Sequence, residues 1–140
     1  MKLQTAKPST SYYLVLPEGV SENHDGRTSS YWLNGAPLLL QLSSYIRTQG
    51  EQPTAWDRLN ARISKEPRSW QSWRTKIHDD VTLDQEAAEY TDDQDVVWVH
   101  VYFVWPHLTV YATISGPEEL VSDHNNWAFQ GLRSMQLTTQ

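Results

Sequence analysis

Cysteine is absent from the 140 residues. That excludes disulfides, thiolate nucleophiles and Cys-ligated zinc. Long hydrophobic runs are missing too. Near the N-terminus the apolar stretch Tyr12–Leu16 is the best available, against the roughly 7–15 residues of a secretory core and the about 20 of a membrane helix. A cytoplasmic chain without a membrane partner is therefore expected. Basic residues are few, 11 against 17 acidic ones, giving a net charge of −6. Direct nucleic-acid binding, which needs a clustered Lys/Arg footprint, is not expected. Sequence motifs of chemistry are lacking as well: no HExxH, no EF-hand loop, no GxSxG elbow, no GxGxxG and no phosphate-binding loop. No catalytic residue, cofactor or metal ligand set is indicated.

What the sequence does have is aromatic area. Seven Trp and seven Tyr offset a hydrophobic fraction of only 39%, since each buries on the order of 150–250 Å². At this length one domain, 1–140, is expected. Ser11–Leu16 reads as a first strand, followed by a polar, turn-rich loop through Ser30 and a short strand at Tyr31–Leu33. Pro37 with Leu38, Leu39, Leu42, Tyr45 and Ile46 at three- and four-residue spacing predicts a helix over 37–48. Thr54 and Asp57 form a variant capping box for a second helix carrying Trp56, Leu59 and Ile63, stopped at Glu66–Pro67. Trp70 and Trp73 either continue a broken helix or sit in a covering loop, and Thr75–Val81 reads as a strand.

The clearest elements are Val96–Trp105 and Leu108–Ile114. Their alternation predicts a central hairpin pairing Trp105 with Leu108, Phe103 with Val110, Val101 with Ala112 and Val99 with Ile114 on an apolar face. The reverse face pairs Tyr102 with Tyr111 and His100 with Thr113. Asp123 is positioned to cap a last helix, 124–137. The order of elements predicts an α+β domain, an antiparallel sheet packed by about three helices.

Two dense His/carboxylate clusters occur, His78-Asp79-Asp80 and Asp123-His124. Their spacing matches no metal motif. His100 among aromatics could serve as a base in a pocket, or as a half-buried polar residue. The charge is segregated. Arg47–Lys76 holds seven basic and three acidic residues, a balance of +4, whereas Asp79–Asp95 holds eight carboxylates and no Lys or Arg. Either the acidic segment lies against the basic helices, or it is an exposed loop that steers a basic partner. On the second reading the carboxylates are Asp84, Glu86, Glu89, Asp92, Asp93 and Asp95. The desolvated anchors are Trp98, His100, Tyr102 and Tyr111, because Trp and Tyr dominate interface hot spots.

A small, acidic, single-domain chain without catalytic motifs resembles the bacterial immunity proteins that neutralise polymorphic or contact-delivered toxins. It also resembles phage-encoded inhibitors that mimic nucleic acid with carboxylates. The resemblance covers the whole chain and rests on size, charge and missing chemistry. It implies a non-enzymatic protein that occludes a basic partner's active site, the partner being a cognate toxin. A second copy of the chain stays open as a partner. So do a small-molecule or glycan-binding module built on the many Trp, and a small hydrolase-like enzyme with a His/carboxylate site.

Overall fold

The computed structural model describes residues 2–138. Strands dominate it. β1 (Leu3–Ala6), β2 (Tyr12–Pro17) and β10 (Gln136–Leu137) form a small sheet in the order β1-β2-β10. A seven-stranded antiparallel sheet runs β3-β4-β5-β9-β8-β7-β6. Its members are β3 (Ser21–Asp25), β4 (Thr28–Trp32), β5 (Leu39–Ile46), β6 (Gln71–Ser72), β7 (Asp84–Thr91), β8 (Val96–Trp105) and β9 (Leu108–Pro117). Three helices complete the fold: α1 (Ala55–Lys65), α2 (Glu118–Val121) and α3 (Trp127–Arg133). The α+β expectation thus holds in a coarser, more β-rich form.

The hairpin forms in the expected register, with Phe103 opposite Val110, Val101 opposite Ala112 and Tyr102 opposite Tyr111. Its apolar face is the inner one. Val99, Val101, Phe103, Val110, Ala112 and Ile114 pack there against Leu14 and Leu16 of β2 and against Phe129 and Leu132 of α3. Gly131 of α3 has no room for a side chain, since a Cβ would stand 2.5 Å from Leu16 Cδ2. The second helix also forms as expected: Thr54 accepts a hydrogen bond from Asp57 N, and Ala55 and Leu59 are buried.

Four expectations are corrected. Residues 37–48 are not a helix, because Leu40 and Leu42 alternate with Gln41 and Ser43 and the segment pairs on both sides, with β4 and with β9. Eight residues are enough for a strand and short for a helix, and ladder bonds on two edges outweigh an amphipathic stripe. The loop after Pro17 contains the polar hairpin β3–β4, turned at Gly26 with φ +61°. Polar sequence is tolerated there because β3 is an outermost strand with most of its side chains exposed. Thr75–Val81 is irregular, held instead by Gln85, whose Oε1 accepts from Ile77 N and His78 N. The last helix is shorter than 124–137 and starts later: Asn126, not Asp123, caps it by accepting from Ala128 N and Phe129 N. No helix among the described residues is long and apolar enough to cross a membrane.

Candidate functional site

The outer face of the large sheet is where strand alternation puts polar and aromatic side chains, and α1 covers only part of it. Ala55 and Leu59 pack on Ala88 of β7 and Tyr102 of β8. The remainder, over β4, β5, β9 and the near side of β8, has no helix above it. Directly opposed residues share a face, so the register lays the side chains out in rows. One row is Trp32, Leu39, Ser115, Trp98 and Tyr90. The next is Ser30, Gln41, Thr113 and His100, and the third is Thr28, Ser43, Tyr111 and Tyr102. A depression of about 380 Å³ lies on this face, lined by Gln41, Ser43, Arg62, Trp98, His100 and Tyr111 among others. A second, of about 680 Å³, reaches Leu39, Ser115, Asp95 and Glu118.

Arg62 forms the wall towards α1. Its Nε donates to Tyr102 Oη at 2.9 Å, its Nη1 donates to Glu66 Oε1 at 3.2 Å, and its guanidinium sits 4.2 Å from the centre of the Tyr111 ring. His100 is 4% exposed. Its ring is enclosed by Trp70, Tyr90 and Tyr111, at centroid distances of 4.9, 5.5 and 5.8 Å. Nδ1 shares a 2.5 Å hydrogen bond with Tyr111 Oη, while the buried Nε2 has no partner. Burial, and next the Arg62 charge, lower its pKa to about 4, so the ring is neutral at pH 7. Burial likewise pushes the Tyr111 phenol upward. The histidine's hydrogen-bonding neighbour is a phenol and no carboxylate bonds it, so the site lacks the acid–base couple of the hydrolase reading.

The six carboxylates of the acidic segment are not brought together: Asp84, Glu86 and Glu89 lie on strand β7, and only Asp92, Asp93 and Asp95 lie in the β7–β8 turn. β7 spans about 24 Å from Asp84 to Thr91. Asp84 accepts from Ala55 N at 3.0 Å and so holds the start of α1. Glu86 is half-buried beside Tyr102. Glu89 points to the opposite face, where it accepts from Trp73 Nε1 at 2.8 Å. Asp92 closes the β7–β8 turn: Oδ1 accepts from Gln94 N and Val96 N, and Oδ2 accepts from Trp98 Nε1 at 3.0 Å. These bonds lower its pKa, with the Trp98 contact the largest cause. Of the six, only Asp93 and Asp95 are exposed with no hydrogen bond to the carboxylate. Apart from Asp84 at its start, none of the acids is paired with the basic helix: among the described residues the one Lys or Arg within ion-pair distance of a carboxylate is Arg62, with Glu66.

Of the four expected anchors, Trp98 and Tyr111 are half-buried and line the depression, whereas His100 and Tyr102 are buried. Tyr102 lies under α1, so it cannot anchor a partner. The sequence reading did not single out Trp32, Gln41, Ser43 or Arg62. Gln41 and Ser43 sit in the segment misread as a helix, where outward polar alternation was the available signal; Trp32 and Arg62 sit in an expected strand and an expected helix. The His78 and Asp123–His124 clusters stay apart. His78 Nε2 bonds Met135 O at 2.7 Å, and the His124 ring packs on Trp73 and Phe129. Among the described residues no group of three His, Asp or Glu is placed to hold a metal ion.

No protein-family model matches the chain, and no curated protein matches it. Among solved structures it is similar to the cyanobacterial PsbP protein, CyanoP, of Synechocystis sp. PCC 6803. The TM-score is 0.68 at 11% identity, over 97% of this chain and 92% of that one. It is also similar to a protein of Bacteroides thetaiotaomicron VPI-5482, with TM-score 0.61 and 10% identity, over 92% of this chain. This chain spans 46% of that protein's length. At such identities the likeness is one of fold.

Proposed function

We propose that this chain is a non-enzymatic binding protein whose ligand lies on the uncovered part of the outer sheet face. One observation carries the reading: a concave, hydrogen-bonded polar and aromatic surface beside α1, with no helix or strand among the described residues above it. Its side chains are held in place before anything binds, by the Asp92–Trp98, Arg62–Tyr102, Gln41–Ser30 and Thr28–Ser43 contacts. Preorganisation of that kind lowers the entropic cost of binding. A neutral His100 bonded to a phenol gives no reason to add catalysis. The test is hydroxyl-radical footprinting in buffer and in extract of the source cell. Trp98, Trp32 and Tyr111 should be protected in extract, and Trp98→Ala with Gln41→Ala should abolish protection of Tyr111. Unchanged reactivity at all three would remove the proposal.

A second reading keeps the cytoplasmic inhibitor of a basic partner, such as a toxin, on a narrower base. Asp93 and Asp95 are exposed without ion pairs, and Asp95 shares a depression with Glu118 and Glu119. Long-range attraction from that end would speed association with a cation-rich protein. Replacing Asp93 and Asp95 with Asn should then slow association several-fold at low salt. An unchanged rate excludes it.

A further inference from the structure

We infer that the occupant of the outer face is a neutral carbohydrate, held between Trp32 and Trp98; this rests on the outer-face reading. The two indoles belong to one row and neither joins a core cluster. They are three strand spacings apart, about 14 Å, with Leu39 and Ser115 between them as a floor. A saccharide ring offers a face of C–H bonds and an edge of hydroxyls. Aromatic rings suit the first, their negative faces meeting polarised C–H groups, and hydroxyl and amide side chains suit the second.

The adjacent rows supply that edge chemistry. Gln41 donates one amide N–H to Ser30 at 3.2 Å and retains its carbonyl oxygen and second N–H. Thr28 and Ser43 share one hydrogen bond at 3.2 Å and keep spare capacity. The charge pattern disfavours an anion and leaves an uncharged polyol. The uncovered rows carry no ionised side chain; at one margin Arg62 and Glu66 pair with each other, and at the other Asp92 bonds Trp98 Nε1 while Asp95, Glu118 and Glu119 share a depression with Leu39 and Ser115. A nucleic acid would need unpaired cations here. A protein partner would want an apolar centre within a polar rim, and this face has the reverse, a polar middle with aromatics at its margins.

The test uses the full chain and four neutral probes, the cello-, xylo-, malto- and chito-hexasaccharides, followed by NMR of the tryptophan indole N–H resonances. At least one probe should shift the Trp98 and Trp32 signals saturably while leaving Trp56 and Trp127 in place. Trp98→Ala should then weaken binding about tenfold or more, and Gln41→Ala several-fold. Trp56→Ala, on the exposed face of α1, should leave it unchanged. If Trp98→Ala unfolds, Gln41→Ala alone decides. Absence of any shift at millimolar probe overturns the carbohydrate assignment, as does binding that survives both substitutions. Should the probes fail while extract still protects Trp98, the ligand class falls and the outer-face reading stands. If both fail, both fall.

Discussion

His100 is buried among aromatic rings with no carboxylate to stabilise its cation, so folding disfavours the charged form. Its pKa falls from 6.5 to about 4. The unfolded chain takes up this proton near pH 6.5, whereas the native state resists it until about pH 4. Stability from this group is therefore complete above pH 6.5 and is lost as pH falls through that window. At pH 5 the loss is about 2 kcal/mol relative to pH 7.5. Urea unfolding at the two pH values, compared with His100→Phe, measures it, and equal pH dependence in both proteins would refute it. The hairpin neighbours make a second case. Phe103→Ala should cost about 3–5 kcal/mol as a large-to-small core change. Tyr102→Ala should fall in the same range, because Leu59 covers it from the other side. The sequence identified both residues and their register, since alternation specifies which side chains share a face. It could not tell an anchor from a core tyrosine, because what covers the second face is contributed by a distant helix. Asp92 was opaque for a related reason: a turn-closing carboxylate and a free one are the same letter.

Element boundaries depend on which groups satisfy the backbone, and α1 shows this directly. Thr54 serves Asp57 N, and Asp84, from a strand nearly thirty positions later, serves Ala55 N. Thr54→Ala should cost about 1 kcal/mol. Asp84→Ala should cost about 1–2 kcal/mol by stranding a helix-start N–H. Both are read from the denaturation midpoint at constant slope, and a neutral Asp84→Ala would mean water replaces the carboxylate freely. The cap at Thr54 was legible because it is local. The Asp84 contact was not, as it depends on the sheet placing β7 beside α1. β5 fails differently: Leu39, Leu42, Tyr45 and Ile46 fit a helical stripe, while Leu40 and Leu42 fit a strand. Periodicity over eight residues cannot decide between them, and two flanking strands decided. β3 and β4 were hidden by composition, since an outermost polar hairpin carries little hydrophobic alternation.

At the scale of the molecule the arrangement is asymmetric. The inner face of the large sheet is sealed by the small sheet with α2 and α3, and the outer face is half sealed by α1. Nothing in a single sequence states strand order, so this half-covered face, and with it the candidate site, was legible only as a list of aromatics. The asymmetry has a measurable consequence. β8 and β9 lie inside the sheet with partners on both sides and the main core beneath them, whereas β3 is the terminal strand with most side chains exposed. Opening β3 breaks few apolar contacts, while opening β9 requires global unfolding. Native-state hydrogen exchange should therefore be at least about a thousandfold slower for Val101 and Ala112 than for the ladder amides of β3. Comparable rates would mean that the β3–β4 hairpin is clamped by something other than the core, and the outer face would then not be open on that side.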